Sequence, residues 1–179
     1  GDAATLPMQI AVRRGGFRVW YSRIWSNVRC SDRAVESLAE VARRAVAADG
    51  GRRLYVVGHS RGGMLARGLA ARHPADVAGI VLAETPKAIT VTEAPPEVVE
   101  AIACDAPNNI ESRDYAAVEH AAWDNRQEIG DFPVVVISND YGPEATEPGE
   151  RTNARDQRGW LVLSPNARQV IVIKRSLSP

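Results

Sequence analysis

The run Leu54-Tyr55-Val56-Val57-Gly58-His59-Ser60-Arg61-Gly62-Gly63 constrains the chain more than any other segment. Four apolar residues ended by glycine read as a buried strand. Met64, Leu65, Leu69 and Ala70 then fall at helical spacing. A strand that passes into a helix over so few residues needs a sharp bend. Small residues at Gly58 and Gly62 are expected there, because strand and helix backbones cross closely. A serine at the apex takes strained backbone angles that push its hydroxyl into the open. The free N–H groups and positive dipole end of the helix lie beneath it. A serine at a helix start also serves as a plain cap, so the string alone leaves two roles for Ser60.

The rest of the chain alternates strand-like and helix-like segments. Phe17 to Tyr21, after Gly15-Gly16, is expected to be a strand. Ser31 or Asp32 can cap a helix whose apolar positions Val35, Leu38, Val41, Ala42, Ala45 and Val46 are stopped by Gly50-Gly51. Val77 to Leu82 reads as a strand, and so does Phe132 to Ile137, with Pro133 at the entry where a missing N–H does no harm. A helix is expected to run to about Leu163 and close at Ser164-Pro165-Asn166, before a last strand at Val170 to Ile173. Between Glu84 and Asp131 prolines punctuate two helical stretches, at 97–103 and 112–127. The pattern predicts an α/β fold with a mostly parallel sheet flanked by helices. One domain over residues 1–179 is expected, carrying a small helical lid at about 85–130.

Composition narrows the partners. The 22 basic and 22 acidic residues cancel, which gives no general attraction to nucleic acid or an anionic membrane surface. No apolar run reaches membrane-helix length, and Gly1 to Arg14 lacks a secretory pattern. Trp20, Tyr21 and Trp25 interleave with Arg18, Arg23 and Arg29; a strand edge and core is expected here rather than a base-stacking surface. Gly58 to Gly63 lacks the lysine and spacing of a phosphate loop. Cys30 and Cys104 stand far apart with no metal-type spacing, so two buried or idle thiols in a reducing cytoplasm are expected.

Leu54 to Glu84 resembles the centre of the α/β-hydrolase family, whose nucleophile strand, helix and next strand have this order and length. Phe17 to Asp32 resembles the preceding family strand, with Tyr21-Ser22-Arg23 at its turn. Phe132 to Asp140 resembles the later strand that leads to an acid loop. Trp160 to Val170 resembles the approach to the catalytic histidine in esterase-like members. The likeness spans most of residues 17–173 and is most specific at 54–84.

The resemblance implies a serine hydrolase acting on a small, partly apolar carboxylic ester or related acyl substrate, with no cofactor and no metal. Ser60 would be the nucleophile and the Arg61 N–H one oxyanion donor. The acid is Glu84, after the strand that follows the turn, or Asp140, after the later strand; both stay open, with Glu84 preferred. A serine hydroxyl needs a base, and Lys174 to Pro179 contain no histidine. His59 is expected to pack away from the serine and His73 to end a helix; His120, in the expected lid helix, is the candidate base. A second reading takes the chain as a catalytically impaired or truncated relative that binds a ligand or protein partner. Homodimerisation would cover the strand edges of a shortened sheet.

Overall fold

The computed structural model describes residues 2–22, 30–85, 104, 106, 130–141 and 148–173. Helices α1 (Asp2–Arg14) and α2 (Ser31–Ala48) precede β1 (Leu54–His59), α3 (Arg61–Arg72), β2 (Val77–Ala83), β3 (Val134–Asp140), α4 (Pro148–Gln157) and β4 (Ala167–Ile173). Short 3-10 turns at Pro74–Asp76 and Arg158–Leu163 lead into β2 and β4. The four strands form one parallel sheet in the order β1-β2-β3-β4, so each connection crosses over the sheet through a longer segment.

Burial explains why these segments become strands. Along β3, Val134, Val136 and Ser138 are buried while Val135, Ile137 and Asn139 are half-buried, the alternation a pleated strand imposes. Val77, Ile80, Leu82, Val134 and Val136 meet Leu69, Ala70 and Ala71 of α3 and Ala39 and Ala42 of α2 in the main core. Trp160 and Leu163 close that core beside β3 and β4. Alanines on both α2 and α3 keep their side chains short where the helices pack, and Val35 with Leu65 fills the remaining gap. On β1 the opposite face stays open, with Tyr55 64% exposed. Among the described residues, no helix is long and apolar enough to cross a membrane.

Several sequence expectations need correction. Residues 17–22 form no strand, and Phe17, Trp20 and Tyr21 are exposed, neither strand edge nor core. High strand propensity expresses itself only against a neighbouring strand, and the described sheet pairs β1 with β2 alone. Arg18 instead lies over the Trp20 ring at 5.3 Å. Neither Ser31 nor Asp32 is the cap of α2; Cys30 is the cap residue, and its side chain makes no capping hydrogen bond. The expected helix before β4 tightens into a 3-10 segment from Arg158, which brings Trp160 and Leu163 inward. The expected helices at 97–103 and 112–127, and with them most of the lid, lie outside the described residues.

The idle thiols are also overturned. Cys30 and Cys104 form a disulfide, with Cα atoms 5.3 Å apart and a sequence separation of 74. The support that free thiols would lend to a reducing compartment goes with them.

Two glycines are packed without room for a Cβ where α3 meets the ends of β1 and β2. A Cβ built on Gly58 would run into the Gly62 carbonyl and stand 2.5 Å from the Gly63 Cα. One built on Gly63 would stand 2.8 Å from Thr85 Cγ2 and 2.9 Å from its Cβ. Gly62 has open space at the same position. The requirement for glycine therefore falls on Gly58 and Gly63, not on Gly58 and Gly62.

Two outcomes follow. In urea melts, Gly58→Ala and Gly63→Ala should each destabilise the fold by about 1–3 kcal/mol or more, the usual range for overpacking. Gly62→Ala should stay within about 1 kcal/mol of wild type, on the stabilising side, as for a helical glycine; a Gly62→Ala cost equal to that of Gly63→Ala would contradict the packing. Under non-reducing denaturing conditions the intact mass should lack the two thiol hydrogens. Reduction should lower stability by roughly 4 kcal/mol, the chain-entropy value for a loop this long.

Candidate functional site

The bend after β1 is held by backbone. Ser60 donates its N–H to the Ala83 carbonyl of β2 at 2.9 Å, and Gly63 donates its N–H to the Ser60 carbonyl at 2.9 Å. These bonds fix Ser60 at φ 52°, ψ −129°, a left-handed region where an L-residue stores on the order of 1–3 kcal/mol of strain. Ser60 occupies the cap position of α3, yet its side chain makes no capping bond and is exposed. The cap role left open by the sequence is therefore not the one Ser60 fills. Its hydroxyl stands free at the positive end of a helix.

Arg61 follows inside α3. Its side chain is buried, with Nη2 3.5 Å from the Ser31 hydroxyl, which ties the start of α2 to the start of α3. Its guanidinium thus points into the fold, and only its main chain belongs to the bend. Arg67, two turns on, is 1% exposed and stacks on the Trp160 ring at 4.2 Å. Trp160 Nε1 in turn donates to the Thr85 carbonyl at 3.4 Å.

Glu84 is the second non-glycine residue of the described chain with positive φ, at 47°. The register pairs His59 with Ala83, so Ser60 and Glu84 follow at the ends of neighbouring strands. Glu84 donates its N–H to the Ile137 carbonyl of β3 at 3.0 Å. Its carboxylate is held as well. Oε1 accepts the Asn139 N–H, and Oε2 accepts the Asn153 side-chain amide at 3.0 Å. Asn153 belongs to α4 and also bonds Gln157 at 2.9 Å and the Asn139 carbonyl at 3.2 Å.

The expected residues divide as follows. Ser60, Arg61, Glu84 and Asp140 all lie along the C-terminal edge of the parallel sheet, where open α/β sheets place ligands. Asp140 ends β3, exposed, and pairs with Ile173 of β4. His120 lies outside the described residues. His59 does not pack into the fold as expected; it is exposed at the end of β1. His73 ends α3 as expected, 3.6 Å from Glu36, about 20 Å along the helix axis from Ser60. An open hollow lined by Arg53, Tyr55, Phe132 and Pro133 sits at the strands' opposite ends and takes no part in this arrangement.

Sequence reasoning missed Asn153, Gln157, Thr85, Arg67 and Trp160. The polar pair at 153 and 157 carried a signal, since residues four apart on a helix share a face. In a segment as polar as Pro148 to Gln157 nothing marked that face as inward. The burial of Arg67 was hidden because arginine is rarely found inside.

A family model described as alpha/beta hydrolase fold matches residues 21–112. No curated protein sequence matches the chain. Among solved structures, a monoacylglycerol lipase from Paleococcus ferrophilus superimposes with a TM-score of 0.50 at 12% identity, over 78% of this chain and 65% of its own. A structure from the metagenome-derived lipolytic enzymes LipS and LipT gives 0.51 at 12% identity, over 83% of this chain and 65% of its own. The chain thus spans just under two thirds of the length of these two neighbours, which share its fold. With half of its residues inside the family match and its sheet ordered as described, the chain belongs to the alpha/beta hydrolase fold family.

Proposed function

We propose that the chain is a serine hydrolase acting on carboxylic ester or related acyl substrates, with Ser60 as nucleophile. One observation carries the reading: Ser60 is exposed, at φ 52°, on the bend between β1 and α3, with no capping bond to account for it there. A strained, solvent-facing serine at the head of a helix matches the needs of acyl transfer. In this reading the Ser60 oxygen attacks the acyl carbonyl, and the negative charge that develops on the carbonyl oxygen faces the N-terminus of α3. The Arg61 N–H is one donor to it. The serine proton passes to a base, for which His120 is the candidate, and returns to the leaving group.

For the acid, Glu84 is preferred over Asp140. Glu84 shares positive φ with Ser60 at the next strand end, and its carboxylate is fixed by two N–H donors. Fixing the acid favours catalysis because the base then has a single orientation to adopt. Asp140 remains the alternative acid, exposed at the end of β3.

The test is covalent labelling. A fluorophosphonate probe incubated with the folded chain should leave one adduct, located at Ser60 by peptide mass analysis, and none on Ser60→Ala. Glu84→Gln should slow labelling by at least about tenfold, and Asp140→Asn much less. A well-folded wild-type sample that takes no label would instead favour a ligand-binding relative without catalysis.

A further inference from the structure

The polar side chains between α4 and the sheet form a relay whose direction is set at Glu84. A carboxylate only accepts, so the Asn153 side chain must turn its NH₂ toward Glu84 Oε2, 3.0 Å away. That leaves Asn153 Oδ1 to accept from Gln157 Nε2 at 2.9 Å. Gln157 Oε1 then accepts from the Ser138 hydroxyl at 3.2 Å. Ser138 Oγ in turn accepts from Gln169 Nε2 at 3.0 Å, and that amide also donates to the Ala154 carbonyl at 2.6 Å. Ser138 and Gln157 are buried, so a reversed amide would leave groups unmatched where water does not compensate. Glu84 receives one donor on each oxygen, the Asn139 N–H on Oε1 and the Asn153 amide on Oε2. A carboxylate oxygen has two acceptor positions, so each keeps one for a further donor. The carboxylate is thus fixed without being saturated.

We propose that Asn153 is a positioning residue for acyl transfer: anchored through Gln157 and Ser138, it aims the Glu84 carboxylate at the group that relays the Ser60 proton. The inference rests on the reading of Ser60 as nucleophile and Glu84 as its acid. Asn153 touches no reacting atom and acts only through Glu84. Its loss therefore matters only while position 84 carries a carboxylate.

The experiment compares the rate of fluorophosphonate labelling at Ser60 in wild type, Asn153→Ala, Glu84→Gln and the double variant, with thermal melts run alongside. Asn153→Ala should slow labelling roughly ten- to hundredfold, the worth of one hydrogen bond to a charged group. In the Glu84→Gln background the same substitution should slow it no further. Asn153→Asp, which keeps the side-chain shape but replaces the donor with an acceptor, should show the same loss and serves if the alanine variant does not fold. A wild-type rate in Asn153→Ala or Asn153→Asp, with Glu84→Gln slowed, overturns the inference and leaves the reading of Ser60 and Glu84 standing. So does an equal slowing in both backgrounds, which would mean that Asn153 merely supports the fold. A folded wild-type chain that takes no label overturns both.

Discussion

The close crossing of β1 and α3 is the constraint on which the rest of the structure depends. Gly58 lies against the main chain of Gly62 and Gly63, and Gly63 lies against Thr85. With two Cβ atoms absent, the chain can leave the strand and enter the helix with a single residue between them. That residue is Ser60, and its left-handed conformation is the geometric consequence of so short a bend. The strain is sustained because the bonds of Ser60 N–H to Ala83 and Gly63 N–H to Ser60 over-determine the position.

The crossing also joins the bend to the segment before β4. Thr85, against Gly63, offers its carbonyl to Trp160, whose ring carries the buried Arg67 guanidinium. Helix α3, the end of β2 and the segment before β4 are therefore locked by one cluster. Removing either Trp160 or Arg67 would leave the other in an environment built for the pair, which is why such buried contacts are costly to break singly. Glu84 sits between this cluster and the Asn153 relay, so the two sides of the candidate site are braced from different elements.

Much of this was legible in the sequence. β1, α3 and β2 appear within a residue or two of the sequence reading, and β3 starts and ends two to three residues later than that reading, since an apolar run ended by a turn and a helical repeat of apolar residues are local signals. Ser60 was legible because the same few residues make the bend and expose the hydroxyl. What stayed hidden depends on partners distant in sequence. Phe17 to Tyr21 has strand propensity but no neighbouring strand among the described residues; Cys30 and Cys104 meet only in three dimensions; Gly62 looks essential in the motif, yet the space at its Cβ is open and Gly63 meets Thr85 instead. Asn153 reads as one polar residue in a polar helix until the sheet shows which side faces inward.

The most direct measurement of the central claim is the backbone conformation of Ser60 in solution. In an NMR spectrum of the labelled chain, positive φ brings the Ser60 amide proton close to its own Hα, so a strong intraresidue cross-peak between them is predicted. The weak cross-peak of ordinary helical or extended backbone, together with amide contacts continuing an unbroken helix through residue 60, would contradict the account.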